Sequence, residues 1–146
     1  MTNSYYELKE KQRHELEAFP LEFAFSNKQF EEGMRKLGLE PGDTAKIYGL
    51  AGTGGFYRKT DAPAFQEMFD RHERELQAAI DSDETGEGFI FEMLNYELAN
   101  HEYIITWDLG DTLRALGLTM EQAKGCPRLR HGLELAVAAQ FEHAEA

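Results

Sequence analysis

The sequence predicts an α+β fold, a small antiparallel sheet packed against helices, and three observations lead to it. Leu21-Glu22-Phe23-Ala24-Phe25 alternates its bulky apolar residues, the period of a half-buried strand. Lys46-Ile47-Tyr48-Gly49-Leu50 and Phe56-Tyr57-Arg58-Lys59 flank the glycine-rich Gly52-Thr53-Gly54-Gly55, which reads as a hairpin over residues 45–60. The remaining long segments favour helix by propensity or by the spacing of their apolar residues. The expected architecture is two or three strands (hairpin 45–60 plus strand 21–25) against five or six helices, as one domain over residues 1–146. A doubly wound α/β fold would need more strands alternating with the helices.

Taken in order, residues Tyr5 to Glu17 favour helix by propensity but have few apolar positions, so this helix is expected to cover the core rather than fill it. Pro20 ends it. Ser26 opens a second helix, with Gln29 completing a capping box, Phe30, Met34 and Leu37 facing inward, and Gly38 as terminator. Thr60 or Asp61 caps a third, with Pro63 in its first turn and a face of Phe65, Met68, Phe69, His72, Leu76, Ala79 and Ile80. After the acidic loop from Asp81 to Gly88, a helix runs from about Phe89 to Glu102. Asp108 caps a short helix ending at Gly117, Thr119 with Gln122 opens another, Pro127 interrupts it, and Leu129 to about His143 forms the last.

Charge is the strongest compositional signal. The formal net charge is -12, and through Thr60 nine basic residues balance nine acidic ones, so the whole excess lies beyond that point. From Arg74 to Arg114 no Lys or Arg intervenes, while Glu75, Asp81, Asp83, Glu84, Glu87, Glu92, Glu97, Glu102, Asp108 and Asp111 all fall there. Such a field disfavours direct nucleic-acid binding and suits a basic protein partner. A polar start and the lack of a long apolar run predict a cytoplasmic protein without a membrane segment. The single Cys126 precludes an internal disulfide and a multi-cysteine zinc site.

Polar residues on apolar faces are the next signal. His72 falls in helical register with Phe65 and Leu76, and Glu97 and His101, four apart, share the stripe of Ile90 and Leu94. A buried carboxylate needs a partner, a proton or a metal. A structural zinc ion held by His72, Glu97 and His101 satisfies this, with Asp70, His14, Asp108, His131 or water as fourth ligand; a plain Glu97–His101 pair is the competing account. Glu-x-x-x-His is weaker than His-Glu-x-x-His, which does not occur in this chain. The glycine-rich hairpin lacks the Lys-Ser/Thr ending of a phosphate loop, no Ser lies in a Gly-x-Ser-x-Gly elbow, and no spacing pairs Cys126 with a histidine. Trp107 with Tyr103 and Tyr96 marks either a contact surface or core.

The runs Phe23-Ala24-Phe25-Ser26-Asn27-Lys28-Gln29-Phe30-Glu31-Glu32-Gly33-Met34 and Leu94-Asn95-Tyr96-Glu97-Leu98-Ala99-Asn100-His101-Glu102-Tyr103 resemble a family of small uncharacterised proteins of bacteriophages and mobile elements. In size and charge the chain looks like the anti-CRISPR proteins that act on Cas9. That resemblance implies a non-enzymatic inhibitor of a host nucleic-acid-handling effector, and it carries over no catalytic residue. The expected partner-binding residues are Asp81, Asp83, Glu84, Glu87, Glu92, Asp108 and Asp111. The alternatives are a small zinc-dependent hydrolase using His72, Glu97 and His101, or an accessory protein of a mobile element with another partner.

Overall fold

The computed structural model describes residues 3–145. It is α+β: eight α-helices and one three-stranded antiparallel sheet among the described residues, in the order α1 (Ser4–Ala18), β1 (Leu21–Phe23), α2 (Asn27–Lys36), β2 (Ile47–Leu50), β3 (Gly55–Arg58), α3 (Ala62–Asp81), α4 (Phe89–Asn100), α5 (Tyr103–Thr106), α6 (Gly110–Ala115), α7 (Met120–Gly125) and α8 (Pro127–Glu145). The helix that was not expected is α5, a single turn between the expected helices 89–102 and 108–117. Two compact units emerge, residues 11–73 and residues 1–10 with 74–146; the divisions fall inside α1 and α3.

In the unit of residues 11–73 the sheet order is β1-β3-β2. Antiparallel registers Leu21↔Tyr57 and Ile47↔Arg58 place β3 between its neighbours. Side chains of β3 alternate between the faces. Phe56 meets Phe30 of α2, ring centroids 5.0 Å apart, and Tyr57 meets Phe65 of α3 at 4.5 Å. α2 begins as its sequence dictates: the Ser26 hydroxyl accepts from the Gln29 amide at 3.2 Å. The Gln29 side chain reaches back to the Phe25 amide instead of that of Ser26. Met34 and Leu37 are buried with Phe56, and Gly38 ends the helix at φ +76°. A Cβ at Gly33 would stand 2.7 Å from Phe56 Cζ, so glycine lets α2 lie close on the sheet.

β1 departs from the expected strand 21–25. It ends at Phe23, and Phe23 and Phe25 are exposed, Phe25 by 80 %. One further backbone hydrogen bond, from the Ala24 amide to the Gly54 carbonyl at 3.0 Å, follows before the chain turns to set Ser26 as a helix cap. Thr60 and Asp61 lie in a 3₁₀ turn, Lys59–Asp61, that runs directly into α3 at Ala62.

The other unit is helical. Ile90, Met93, Leu94 and Leu98 of α4 are buried with Leu113, Ala123, Leu129, Leu133 and Ala136, and α8 lies along α4. Tyr5 is 4 % exposed, wedged against the rings of Phe89 and Tyr96, so the start of α1 fills this core instead of merely covering it. Thr119 and Gln122 form the capping box of α7. Pro127 is the first residue of α8, where its missing N–H costs nothing. The expected helix to Glu102 stops at Asn100, because Glu102 adopts a left-handed conformation, φ +54°, before α5. Asp108 does not occupy the cap position of α6, which is Leu109, but its carboxylate accepts from the Gly110 amide at 2.8 Å.

Gly132 of α8 packs closely on Gly86 in the loop before α4 and on the first turn of α4. A Cβ on Gly132 would come within 2.7 Å of both Gly86 O and Ile90 Cγ2, while one on Gly125 would meet nothing within 4 Å. Gly132→Ala should therefore destabilise the protein by about 1–3 kcal/mol, the usual cost of overpacking. Gly125→Ala should leave stability unchanged or raise it by less than about 1 kcal/mol. Urea unfolding of the two variants measures the difference.

Candidate functional site

The acidic segment is organised by one of its own members. Asp83 is 9 % exposed, and its carboxylate accepts hydrogen bonds from the amides of Thr85, Gly86, Gly88 and Ile90 at 2.9–3.2 Å. Four donors on one carboxylate hold residues 83–90 in a tight loop and satisfy an amide at the open N-terminus of α4. Arg128 of α8 closes the other side, donating to the carbonyls of Ile80, Asp81 and Asp83. Asp83 therefore serves the fold and is not part of an accessible binding surface, a correction to its expected role. Burial pushes its carboxyl up, but the backbone amides outweigh this and hold it below the ordinary aspartate range.

The other six expected partner-binding residues divide by what already engages them. Asp81, Glu84 and Glu87 are exposed; Asp81 accepts from Gln77 at 2.9 Å, and Glu87 lies 3.8 Å from His131. Glu92 is half-buried and accepts from the Ser4 amide at 2.7 Å. Asp108 and Asp111 are exposed, Asp111 in an ion pair with Arg114. The unit containing all of them has 16 acidic and six basic residues, against 11 and nine in residues 11–73, so nearly all of the excess charge belongs to the helical unit.

Between α4 and α8 runs an apolar groove of about 310 Å³ lined by Phe91, Leu135, Ala138 and Ala139, with Glu87 and Glu142 at its rim. Phe91 and Leu135 are only partly buried, and the small Ala138 and Ala139 leave the space between the helices open. Sequence reasoning missed Glu142 and this floor. Their signal was present in α8, where Leu135, Ala138, Ala139 and Glu142 recur at spacings of three, one and three on a second face, beside the core face of Leu133, Ala136 and Val137. Nearby in sequence, Ile105 and Trp107 are 74 % and 70 % exposed. Trp107 is held at φ +58°, its indole N–H donating to the Ile104 carbonyl and its ring edge-on to Phe141, while Tyr103 and Tyr96 pack against the core.

Glu97 and His101 lie in the helical unit, and His72 in the unit of residues 11–73. Glu97 faces the core at 2 % exposure, with Lys9 Nζ 3.5 Å from Oε1 and His101 Nε2 4.0 Å from Oε2. Burial first, then the Glu97 charge and a hydrogen bond to it, raise the Tyr5 hydroxyl far above its usual value. Among the described residues, the buried Glu97 Oε1 and His101 Nε2 have no hydrogen-bond partner. The Lys9 ammonium supplies the positive charge nearest this carboxylate, and it also lies over the Tyr5 and Tyr96 rings.

His72, its side chain 11 % exposed, places Nε2 3.1 Å from Glu15. Hydrogen bonds from Arg71 and then His72 hold the Glu15 carboxyl at about 2. Glu15 and His72, both in the unit of residues 11–73, bring together a carboxylate and an imidazole that could serve as two ligands of a metal ion. Of the proposed fourth ligands, His14 pairs loosely with Glu17, Asp70 accepts from Gln66, and His131 faces Glu87. Cys126 sits just before α8, where the amides of Leu129 and Arg128 lower its thiol despite burial.

The chain is thus a small α+β protein whose helical unit bears most of its negative charge beside an open apolar groove. Residues 4–139 match the model of a family of unknown function, DUF7659, and the chain belongs to that family. No curated protein and no solved structure matches it. No helix among the described residues is long and apolar enough to cross a membrane.

The lowered folded-state value of Asp83 gives a pH prediction. A carboxyl held below its unfolded value contributes stability that is complete above that value, about 4, and is lost as pH falls through the folded one. Asp83→Asn should lower stability at pH 7 by about 1–3 kcal/mol, and the difference from the parent protein should shrink below about pH 4. Denaturant unfolding at a series of pH values reads both.

Proposed function

We propose that this protein is a non-enzymatic binding protein whose helical unit docks a basic, amphipathic segment of a partner protein. The observation that carries this reading is the groove between α4 and α8. Its floor of Phe91, Leu135, Ala138 and Ala139 takes apolar side chains, and Glu87 and Glu142 on the rim face Lys or Arg. An apolar floor with one sign of charge around it selects segments that combine both features, as charge complementarity favours encounter and apolar contact favours retention. Asp81 and Glu84 extend the negative field beyond the groove. The partner class this reading favours is a protein with a positively charged nucleic-acid channel; the resemblance narrows it to a host defence effector, Cas9 first. Inhibition then follows from occupying the partner's basic surface and needs no catalytic group.

The test is affinity capture from bacterial lysate at low and high salt, with purified Cas9 assayed separately for binding and DNA cleavage. A basic protein should be retained at low salt, and Glu87→Lys with Glu142→Lys should weaken its binding about tenfold. Ala138→Trp, which fills the groove at an exposed helix position, should do the same while leaving thermal unfolding unchanged. Equal retention by the parent and both variants would overturn the groove as the binding site.

A second reading, a structural zinc ion bound through His72, is favoured by the Glu15 carboxylate 3.1 Å from its Nε2. Elemental analysis of untagged protein should then give one zinc per chain, lost in His72→Ala; a metal-free parent would remove this reading.

A further inference from the structure

The unit of residues 11–73 has a second cleft, and its chemistry is the opposite of the acidic groove. About 270 Å³ in volume, it is lined by Leu39, Ala45, Lys46, Arg58, Lys59 and Thr60. Three of the six are cations and none is an acid. The register of the hairpin explains the arrangement. Ile47 pairs with Arg58, so Lys46 and Lys59, one step beyond the last pair, stand opposite each other at the open end of β2 and β3. The chain enters β2 and leaves β3 there through 3₁₀ turns, Thr44–Lys46 and Lys59–Asp61, and residues of both turns line the cleft.

The floor is fixed and apolar. Leu39 packs against the buried cluster of Met34, Leu37 and Phe56, and Ala45 adds a methyl group beside it. Arg58 is also fixed: its Nε donates to Asp61 at 2.7 Å and its Nη1 to the Leu37 carbonyl at 3.2 Å. The two lysines are exposed and loosely held, Lys46 at 3.8 Å from Asp43 and Lys59 with Nζ 5.0 Å from the centre of the Tyr48 ring. Exposed pairs of this kind contribute little to stability, so either ammonium can turn toward an anion at small cost.

We propose that this cleft binds a small amphipathic monoanion, a carboxylate with an aliphatic or aryl body, the body on Leu39 and Ala45 and the carboxylate between Lys46 and Lys59. The size supports this class. Pockets for drug-sized ligands run about 300–1,000 Å³, and this one lies just below that range, too small for a nucleotide but adequate for a single ring or a short chain. The site lies outside the helical unit and does not depend on the binding reading above.

The test is titration of the full chain with 4-phenylbutyrate and with octanoate, followed by two-dimensional amide NMR, with 4-phenylbutanol and 1-octanol as uncharged controls. Saturable shifts should be confined to the amides around Leu39, Ala45, Lys46, Lys59 and Thr60. Affinity should fall about fivefold or more in the Lys46→Gln, Lys59→Gln double variant and to a similar degree for the alcohols, as expected for the loss of two exposed charge contacts. The double variant replaces exposed side chains only, and its thermal unfolding confirms that it folds. Absence of saturable shifts at these amides, shifts centred elsewhere, or equal affinity for acid and alcohol would each overturn the proposal.

Discussion

Asp83 places its carboxylate against the amides of Thr85, Gly86, Gly88 and Ile90, and through them fixes the loop from which α4 departs. Much of the helical unit depends on that arrangement. The same loop brings Gly86 against α8, where a Cβ on Gly86 would lie 2.2 Å from the Arg128 carbonyl oxygen, and Arg128 in turn binds three carbonyls of the loop's first half. The groove walls, Phe91 on one helix and Leu135 on the other, keep their separation because the helices are pinned at this end. A cluster of acids on one short segment would otherwise repel itself. Turning one acid inward onto backbone donors lets the loop close while Asp81, Glu84 and Glu87 remain in solvent.

A different balance holds the middle of α4. Glu97 is buried within an apolar stripe, which is tolerable only because Lys9, Tyr5 and His101 surround it. Lys9 and Tyr5 come from the first turns of α1, so a segment that looks peripheral in sequence neutralises the most deeply buried charge of the unit. The aromatic rings of Tyr5 and Tyr96 flank the ammonium and shield it further.

Much of this is legible in the sequence where the signal is local. The hairpin, the Ser26 and Thr119 caps, the Gly38 terminator and the inward face of Glu97 each follow from residues within one or two turns of each other. The elements that escape sequence reading depend on distant contacts or on unusual backbone. Asp83 looks like any loop acid, because its donors lie up to seven residues ahead, beyond the three-residue spacing of a capping box. Tyr5 reads as surface, since its partners Phe89 and Tyr96 are more than eighty residues away. The break before α5 occurs at Glu102 and its end at Trp107, both left-handed without glycine, so no glycine marks either one. The acidic groove needs two helices to exist, and only its Glu87 could be named from the charge run alone.

Amide hydrogen exchange, followed residue by residue from pH 6 to pH 2 and corrected for intrinsic rates, tests the organising role of Asp83 most directly. The account predicts that Gly86, Gly88 and Ile90 are protected at pH 6 and lose that protection together as Asp83 takes up a proton. Leu94 and Leu98, deeper in α4, should stay protected through the same step. Protection at Gly86, Gly88 and Ile90 that persists unchanged through acid, or that disappears only with the whole of α4, would contradict it.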